Sequence, residues 1–147
     1  MPETLKTILV AEDSPDEVFF LTRALANTRL HCQLRFVQNG REAIHYLQRK
    51  PPYDDPNAFP VPSALVLDLK MPDVGGFEVL AWLKWQPTLA ALPVVIHSSS
   101  DLEEDMLRAR QLGADAYYVK GPTLRARDAT LRAIAEMCLK TRPVQVA

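Results

Sequence analysis

Five short apolar runs punctuate the chain: residues 7–11 (TILVA), 33–37 (QLRFV), 63–68 (SALVLD), 93–97 (PVVIH) and 116–119 (AYYV). Each is short and mostly rich in β-branched or aromatic residues, so each predicts a strand. The stretches between them place apolar residues at helical spacing instead, as in Val18, Leu21 and Leu25, and later in Leu131, Ile134, Ala135 and Cys138. Polar residues mark the boundaries. Ser14, with Pro15 at the first helical position and Glu17 three residues on, reads as a capping box; Asn39 with Glu42 and Ser100 with Glu103 repeat the spacing. Gly113 is placed to close the fourth helix through a left-handed turn. Near-continuous apolar strands alternating with helices predict a parallel sheet with helices on both faces, because parallel neighbours need right-handed crossovers. The expected architecture is a three-layer α/β sandwich around a five-stranded parallel sheet.

One segment breaks this pattern. Residues 49–62 (RKPPYDDPNAFPVP) contain five of the chain's 12 prolines and suit neither helix nor central strand. They predict an extended surface loop before the third strand, either a tolerated insertion or an arm that meets a partner or a second copy. With 147 residues, 48% apolar and 24% charged, the chain reads as one domain spanning 1–147, with a core at about 7–140 and a frayed tail at 141–147. A formal charge of −1 argues against a chain built to grip nucleic acid. Cys32 and Cys138 are too few for a disulfide framework, and no zinc-type spacing is present, which suits a reducing cytoplasmic setting. No run approaches the roughly 20 apolar residues that span a bilayer, so no membrane role is expected.

In an open parallel sheet, ligands sit beyond the carboxyl ends of the strands. Here strand one is followed by Glu12 and Asp13, and strand three ends in Asp68. Crowded carboxylates raise one another's proton affinity unless a cation relieves them, and an all-oxygen set suits Mg²⁺ or Mn²⁺ rather than zinc. Glu12 and Asp13 alone could serve the dipole of the first helix, but that does not account for Asp68. Strand four ends in Ser98, Ser99 and Ser100, and strand five in Lys120. A hydroxyl and an ammonium around an acid cluster match the sides of a phosphoryl group.

The segments AEDSP, LVLDLKMPDVGGFEVL, VVIHSSS and GADAYYVKG together resemble the receiver domain of bacterial response regulators, the flavodoxin-like, doubly wound (β/α)5 partner of sensor histidine kinases. The resemblance covers residues 7 to about 140. It implies that Asp68 accepts a phosphoryl group. Glu12 and Asp13 form the acidic pair at the metal, with carboxylates of Asp13 and Asp68 and the backbone carbonyl of Lys70 as ligands. Ser98 and Lys120 contact the phosphoryl oxygens, while Ser98 and Tyr117 switch conformation. Apart from the resemblance, Lys70, a long cation two residues after Asp68, is expected together with Ser100 to alter how water reaches the acyl phosphate and so to tune its lifetime. The implied chain is a stand-alone, non-enzymatic regulator that signals through contacts of the fourth helix, fifth strand and fifth helix. The proline-rich insertion further resembles the subgroup that accompanies phytochrome-type histidine kinases, which implies such a kinase as donor and a homodimer.

Some features depart from the family or admit another reading. The family usually has Pro directly after the lysine, in a cis bond, whereas Gly121 follows Lys120 here and Pro122 comes next. A cis bond to Gly121 would cost about 2.5–4 kcal/mol, which leaves cis and trans both open. His97, one before Ser98, reads as a core histidine with satisfied nitrogens. Trp82 and Trp85 read as caps on the core. From Lys120 onward the chain is basic, and the fifth helix is expected to pair with Asp101, Glu103, Glu104 and Asp105, within one molecule or across a two-fold axis, unless both faces are simply solvated. Two rival functions remain. A metal-dependent aspartyl phosphohydrolase would want a second acid where Lys70 stands. A flavin-binding module would want a Ser/Thr/Gly-rich phosphate loop where Glu12 and Asp13 stand.

Overall fold

The computed structural model describes residues 5–140, apart from the side chains of residues 139 and 140. The expected frayed tail at 141–147 lies outside the described residues. Eleven elements follow one another: β1 (Lys6–Ala11), α1 (Pro15–Thr28), β2 (Cys32–Val37), α2 (Gly40–Leu47), β3 (Ala64–Leu67), α3 (Gly76–Leu83), a 3-10 turn (Pro87–Leu89), β4 (Val94–Ser98), α4 (Glu103–Gln111), β5 (Ala116–Val119) and α5 (Leu124–Lys140). Every strand pair is parallel, and the sheet order is β2-β1-β3-β4-β5.

The apolar runs are near-continuous because successive residues feed two different cores. Leu9, Leu65, Leu67, Val94 and Ile96 point to a core shared with Ala43, Val79, Leu80 and Ala109, so α2, α3 and α4 cover that face. Ile8, Val10, Val66 and Val95 point to the other core, shared with Leu21, Ile134, Ala135 and Cys138, so α1 and α5 cover it. The chain leaves β1 toward β2 on one side and reaches β3 on the other. The reversal opens a crevice beyond the carboxyl ends of β1 and β3. Gly76 lets α3 start close to that crevice, since a Cβ there would lie 2.5 Å from the Asp68 carbonyl oxygen.

The expected helix boundaries form only in part. Asn39 accepts from the Glu42 N–H at 2.9 Å, but the Glu42 carboxylate takes the Gln38 N–H at 2.8 Å rather than that of Asn39; Gly113 closes α4 at φ 104°. At α1, Ser14 accepts from the Glu17 N–H at 3.4 Å, but the Glu17 side chain turns away to Arg127, and Glu12 takes the Ser14 N–H instead. Only half of the expected capping box forms. Ser100 is not the cap of α4: the cap position is Leu102, and the Ser100 hydroxyl donates to Asp105 at 2.6 Å.

Residues 49–62 lie at the surface as expected, but they are not extended. Turns fold this segment back on α2, where Tyr53 and Phe59 stack around Tyr46 at centroid distances of 5.0 and 5.9 Å. The Tyr46 hydroxyl donates to the Pro60 carbonyl at 2.6 Å, which gives the buried phenol its polar partner. Trp82 packs on the core as expected, whereas Trp85 lies beyond the end of α3 and is 82% exposed. Among the described residues no ion pair joins α5 to α4; the partner of α5 is α1, through Arg127 and Glu17.

Candidate functional site

The sheet itself fixes the acidic residues. The Glu12 N–H donates to the Val37 carbonyl at 2.9 Å and the Asp68 N–H to the Ala11 carbonyl at 3.2 Å, so each ladder extends one residue past its strand. Glu12 and Asp68 are buried there, and Asp13 is exposed at the rim. One carboxylate oxygen from each of the three lies within 4.8 Å of the others. Such an all-oxygen set with one exposed member suits a hard divalent cation that keeps some of its water.

Lys120 enters from β5. Its backbone N–H donates to the Ser98 carbonyl at 2.8 Å, which ties the strand ends together. Its ammonium sits 2.8 Å from Asp68 Oδ2 and 2.9 Å from Glu12 Oε2. Burial raises the Glu12 carboxyl above its ordinary range; the Lys120 hydrogen bond opposes the rise and the Asp68 charge adds to it. Burial disfavours the Lys120 ammonium, yet its bonds to Asp68 and Glu12 outweigh that and hold its proton more tightly than usual. The pocket is therefore an anionic pair with one cation already between its members.

Ser98 is buried at the end of β4, and its hydroxyl oxygen accepts from the Ser100 N–H at 3.2 Å. The half-buried Tyr117 donates its hydroxyl to the Ser100 carbonyl at 2.8 Å. Ser98, Ser100 and Tyr117 are thus linked through one loop between β4 and α4. The Lys70 side chain is exposed, and its backbone N–H donates to Asp68 Oδ1 at 3.4 Å. The Lys120–Gly121 bond is trans, since the only cis bond among the described residues joins Pro51 to Pro52.

Two residues in this neighbourhood were misread or missed in the sequence. His97 is fully buried, but neither ring nitrogen has a hydrogen-bond partner, so it is not a satisfied core histidine. Burial, with the Lys120 charge, pushes its pKa down from 6.5 to about 4. The unfolded chain therefore binds the proton more readily than the native one, and stability falls as pH drops from about 6.5 toward 4, by at most about 3 kcal/mol. His97→Leu is expected to flatten that limb in urea unfolding followed from pH 7 to pH 4. The second residue is Arg127, whose partner Glu17 is 110 residues away in sequence and has the spacing of a helix cap. Arg127 draws the Glu17 carboxyl below its ordinary range despite burial.

A family model describing the response regulator receiver domain matches residues 8–131. The chain is 29% identical over 136 residues to response regulator Rcp1 of Synechocystis sp., covering 92% of this chain and 90% of Rcp1. Among solved structures, the phosphorylated cyanobacterial phytochrome response regulator RcpA superposes with a TM-score of 0.83 at 32% identity, covering 97% of this chain and all of that one. The Mn²⁺-bound form of Rcp1 superposes with a TM-score of 0.80 at 28% identity, covering 96% and 99%. The chain belongs to the response regulator receiver domain family, a regulatory family of two-component signalling, and it has the five-stranded flavodoxin-like fold of that family. Among the described residues, no helix is long and apolar enough to cross a membrane.

Proposed function

We propose that this receiver domain takes a phosphoryl group from a phosphohistidine of a sensor histidine kinase onto Asp68, with Mg²⁺ or Mn²⁺ held by Asp13, Asp68, Glu12 and the Lys70 carbonyl. The observation that carries the reading is the convergence of Asp68, Glu12, Asp13 and Lys120 on one rim of the sheet. A carboxylate oxygen of Asp68 attacks phosphorus, the P–N bond of the donor breaks, and the imidazole leaves neutral, keeping the proton that its other ring nitrogen already carries. The sheet holds the nucleophile in place, and the Lys120 ammonium neutralises charge on the phosphoryl oxygens. A bound divalent ion would supply further positive charge against those oxygens. Incubation with phosphoramidate and Mg²⁺, followed by intact mass, is expected to show a gain of one phosphate; an unchanged mass would contradict the reading.

The phosphoryl group on Asp68 would recruit the Ser98 hydroxyl and keep Lys120 as partner. Moving Ser98 disturbs its bond to the Ser100 N–H, and with it the carbonyl that holds Tyr117. Release of Tyr117 shifts the population of two packings, and a change from 1:99 to 99:1 needs about 5.5 kcal/mol of differential interaction. The reporting face is α4–β5–α5, where Leu102, Leu107, Val119 and Leu124 are exposed apolar side chains. This face is also the one on which a second copy would pair, and phosphorylation is expected to raise the dimer fraction in size-exclusion chromatography with light scattering. Lys70 and Ser100 would set how water reaches the acyl phosphate. The donor would be a phytochrome-type kinase in the cytoplasm: support comes from the likeness to RcpA, a phytochrome response regulator, and from two buried free thiols, which suit a reducing compartment. Transfer from such a kinase should outpace transfer from an unrelated histidine kinase.

Metal occupancy has a measurable effect on the fold. Ionised Glu12 is costly in its buried position, and its raised proton affinity means that this cost grows as pH rises through the folded-state titration. An ion at 100 times its dissociation constant stabilises the native state by about 2.7 kcal/mol. Mg²⁺ is therefore expected to raise the melting temperature, chelation to reverse the rise, and Asp13→Asn to remove most of it.

A further inference from the structure

Lys120 is held at its backbone by one bond to Ser98, and the chain beyond it runs through Gly121, Pro122 and Thr123 before α5 begins at Leu124. This short loop does not hang free. Arg127 Nη1 donates to the Gly121 carbonyl at 2.6 Å, while Nε donates to Glu17 Oε2 at 3.1 Å and Nη2 to Glu17 Oε1. The guanidinium also lies 4.6 Å over the Phe20 ring. The Arg127 and Glu17 side chains are each only 11% exposed, so this fork is shielded from competing water. Gly121 itself fits closely against the first turn of α5, where an added Cβ would lie 2.3 Å from Ala126 Cβ.

We propose that Arg127 is a positioning residue for Lys120, with Glu17 as its anchor: the pair clamps the Gly121–Pro122 peptide group, one residue beyond Lys120, and so fixes where the ammonium meets Asp68. The inference rests on the phosphoacceptor reading of Asp68. Its physical basis is the planar guanidinium, which serves the carboxylate and the carbonyl at once. Glu17 sits in the first turn of α1, five residues from Glu12, so the same pair ties the β5–α5 loop to the helix that follows directly on Glu12 and Asp13. If the loop relaxes, the Lys120 stem swings with it. Both carboxylate contacts, at 2.8 and 2.9 Å, then lengthen. A lysine at 127 keeps the charge but reaches only one of the two acceptors.

The test is the phosphorylation rate with saturating phosphoramidate and Mg²⁺, read with Mg²⁺ affinity and melting temperature, in the full chain. Arg127→Met and Arg127→Lys are each expected to slow the maximal rate about tenfold, with Mg²⁺ affinity within about twofold, because displacement rather than removal of a catalytic charge is at issue. The double exchange Glu17→Arg with Arg127→Glu restores an ion pair between α1 and α5 but puts at 127 a carboxylate, which cannot donate to the Gly121 carbonyl. It is expected to regain melting temperature while staying slow. A folded Arg127→Met or Arg127→Lys that reacts at the wild-type rate would overturn the proposal, as would a double exchange that recovers the rate. Should Arg127→Met not fold, Arg127→Lys decides alone, and a slow lysine variant cannot be ascribed to lost charge. Failure of the wild type to take phosphate would remove the phosphoacceptor reading and this inference with it; a reactive wild type beside unaffected variants removes this inference only.

Discussion

Asp68→Asn is expected to fold normally and to gain no phosphate from phosphoramidate under conditions that modify the wild type fully. The amide keeps the shape of the side chain but has no anionic oxygen to attack phosphorus, so the loss is one of nucleophile rather than of binding. Stability should change little. The substitution removes one partner of Lys120, which keeps Glu12 at 2.9 Å, and it also removes the repulsion between the Asp68 and Glu12 carboxylates. Asp13→Asn differs in kind: the nucleophile remains, metal affinity falls because a charged ligand is lost, and excess Mg²⁺ recovers part of the rate.

Lys120→Met is expected to have the second largest effect, and it acts on both stability and rate. The ammonium is 12% exposed and lies between two buried carboxylates, so its removal leaves Glu12 and Asp68 facing each other without a cation. Breaking a buried pair in this way costs about 3–5 kcal/mol, reduced to the extent that one carboxyl takes a proton instead. Because an ion at the same carboxylates supplies charge of the same sign, Mg²⁺ should stabilise this variant more than it stabilises the wild type. Urea unfolding with and without Mg²⁺ measures that difference. The phosphorylation rate should fall about 100-fold even at saturating Mg²⁺, because the phosphoryl oxygens lose a positioned cation.

The sheet and its rim were legible because each rests on local pattern. Strand length and β-branched content show in a single run of five residues, and the strand tips place Glu12, Asp13, Asp68, Ser98 and Lys120 by topology alone. What failed to show depends on side-chain direction between distant segments. Glu17 has the spacing of a capping-box residue, but a buried guanidinium on α5 competes for it more strongly than an N-cap N–H does. Ser100 has the right spacing to Glu103, yet the chain continues extended to Leu102 before the helix starts. Prolines in 49–62 report where helix cannot form; they carry no information about the ring cluster that folds this segment back on Tyr46. His97 alternates with Val95 toward the α1–α5 core, and nothing in the sequence indicates that its nitrogens find no donor or acceptor there.

Under the proposed function Asp68, and no other group, carries the transferred phosphoryl. Borohydride cleaves an aspartyl phosphate and leaves homoserine, so reduction of the phosphorylated protein followed by peptide mass analysis locates the modified residue. Conversion confined to position 68 is the expected result. Conversion at Asp13 or Glu12, or a phosphate that resists borohydride because it sits on a serine or histidine, would contradict the account.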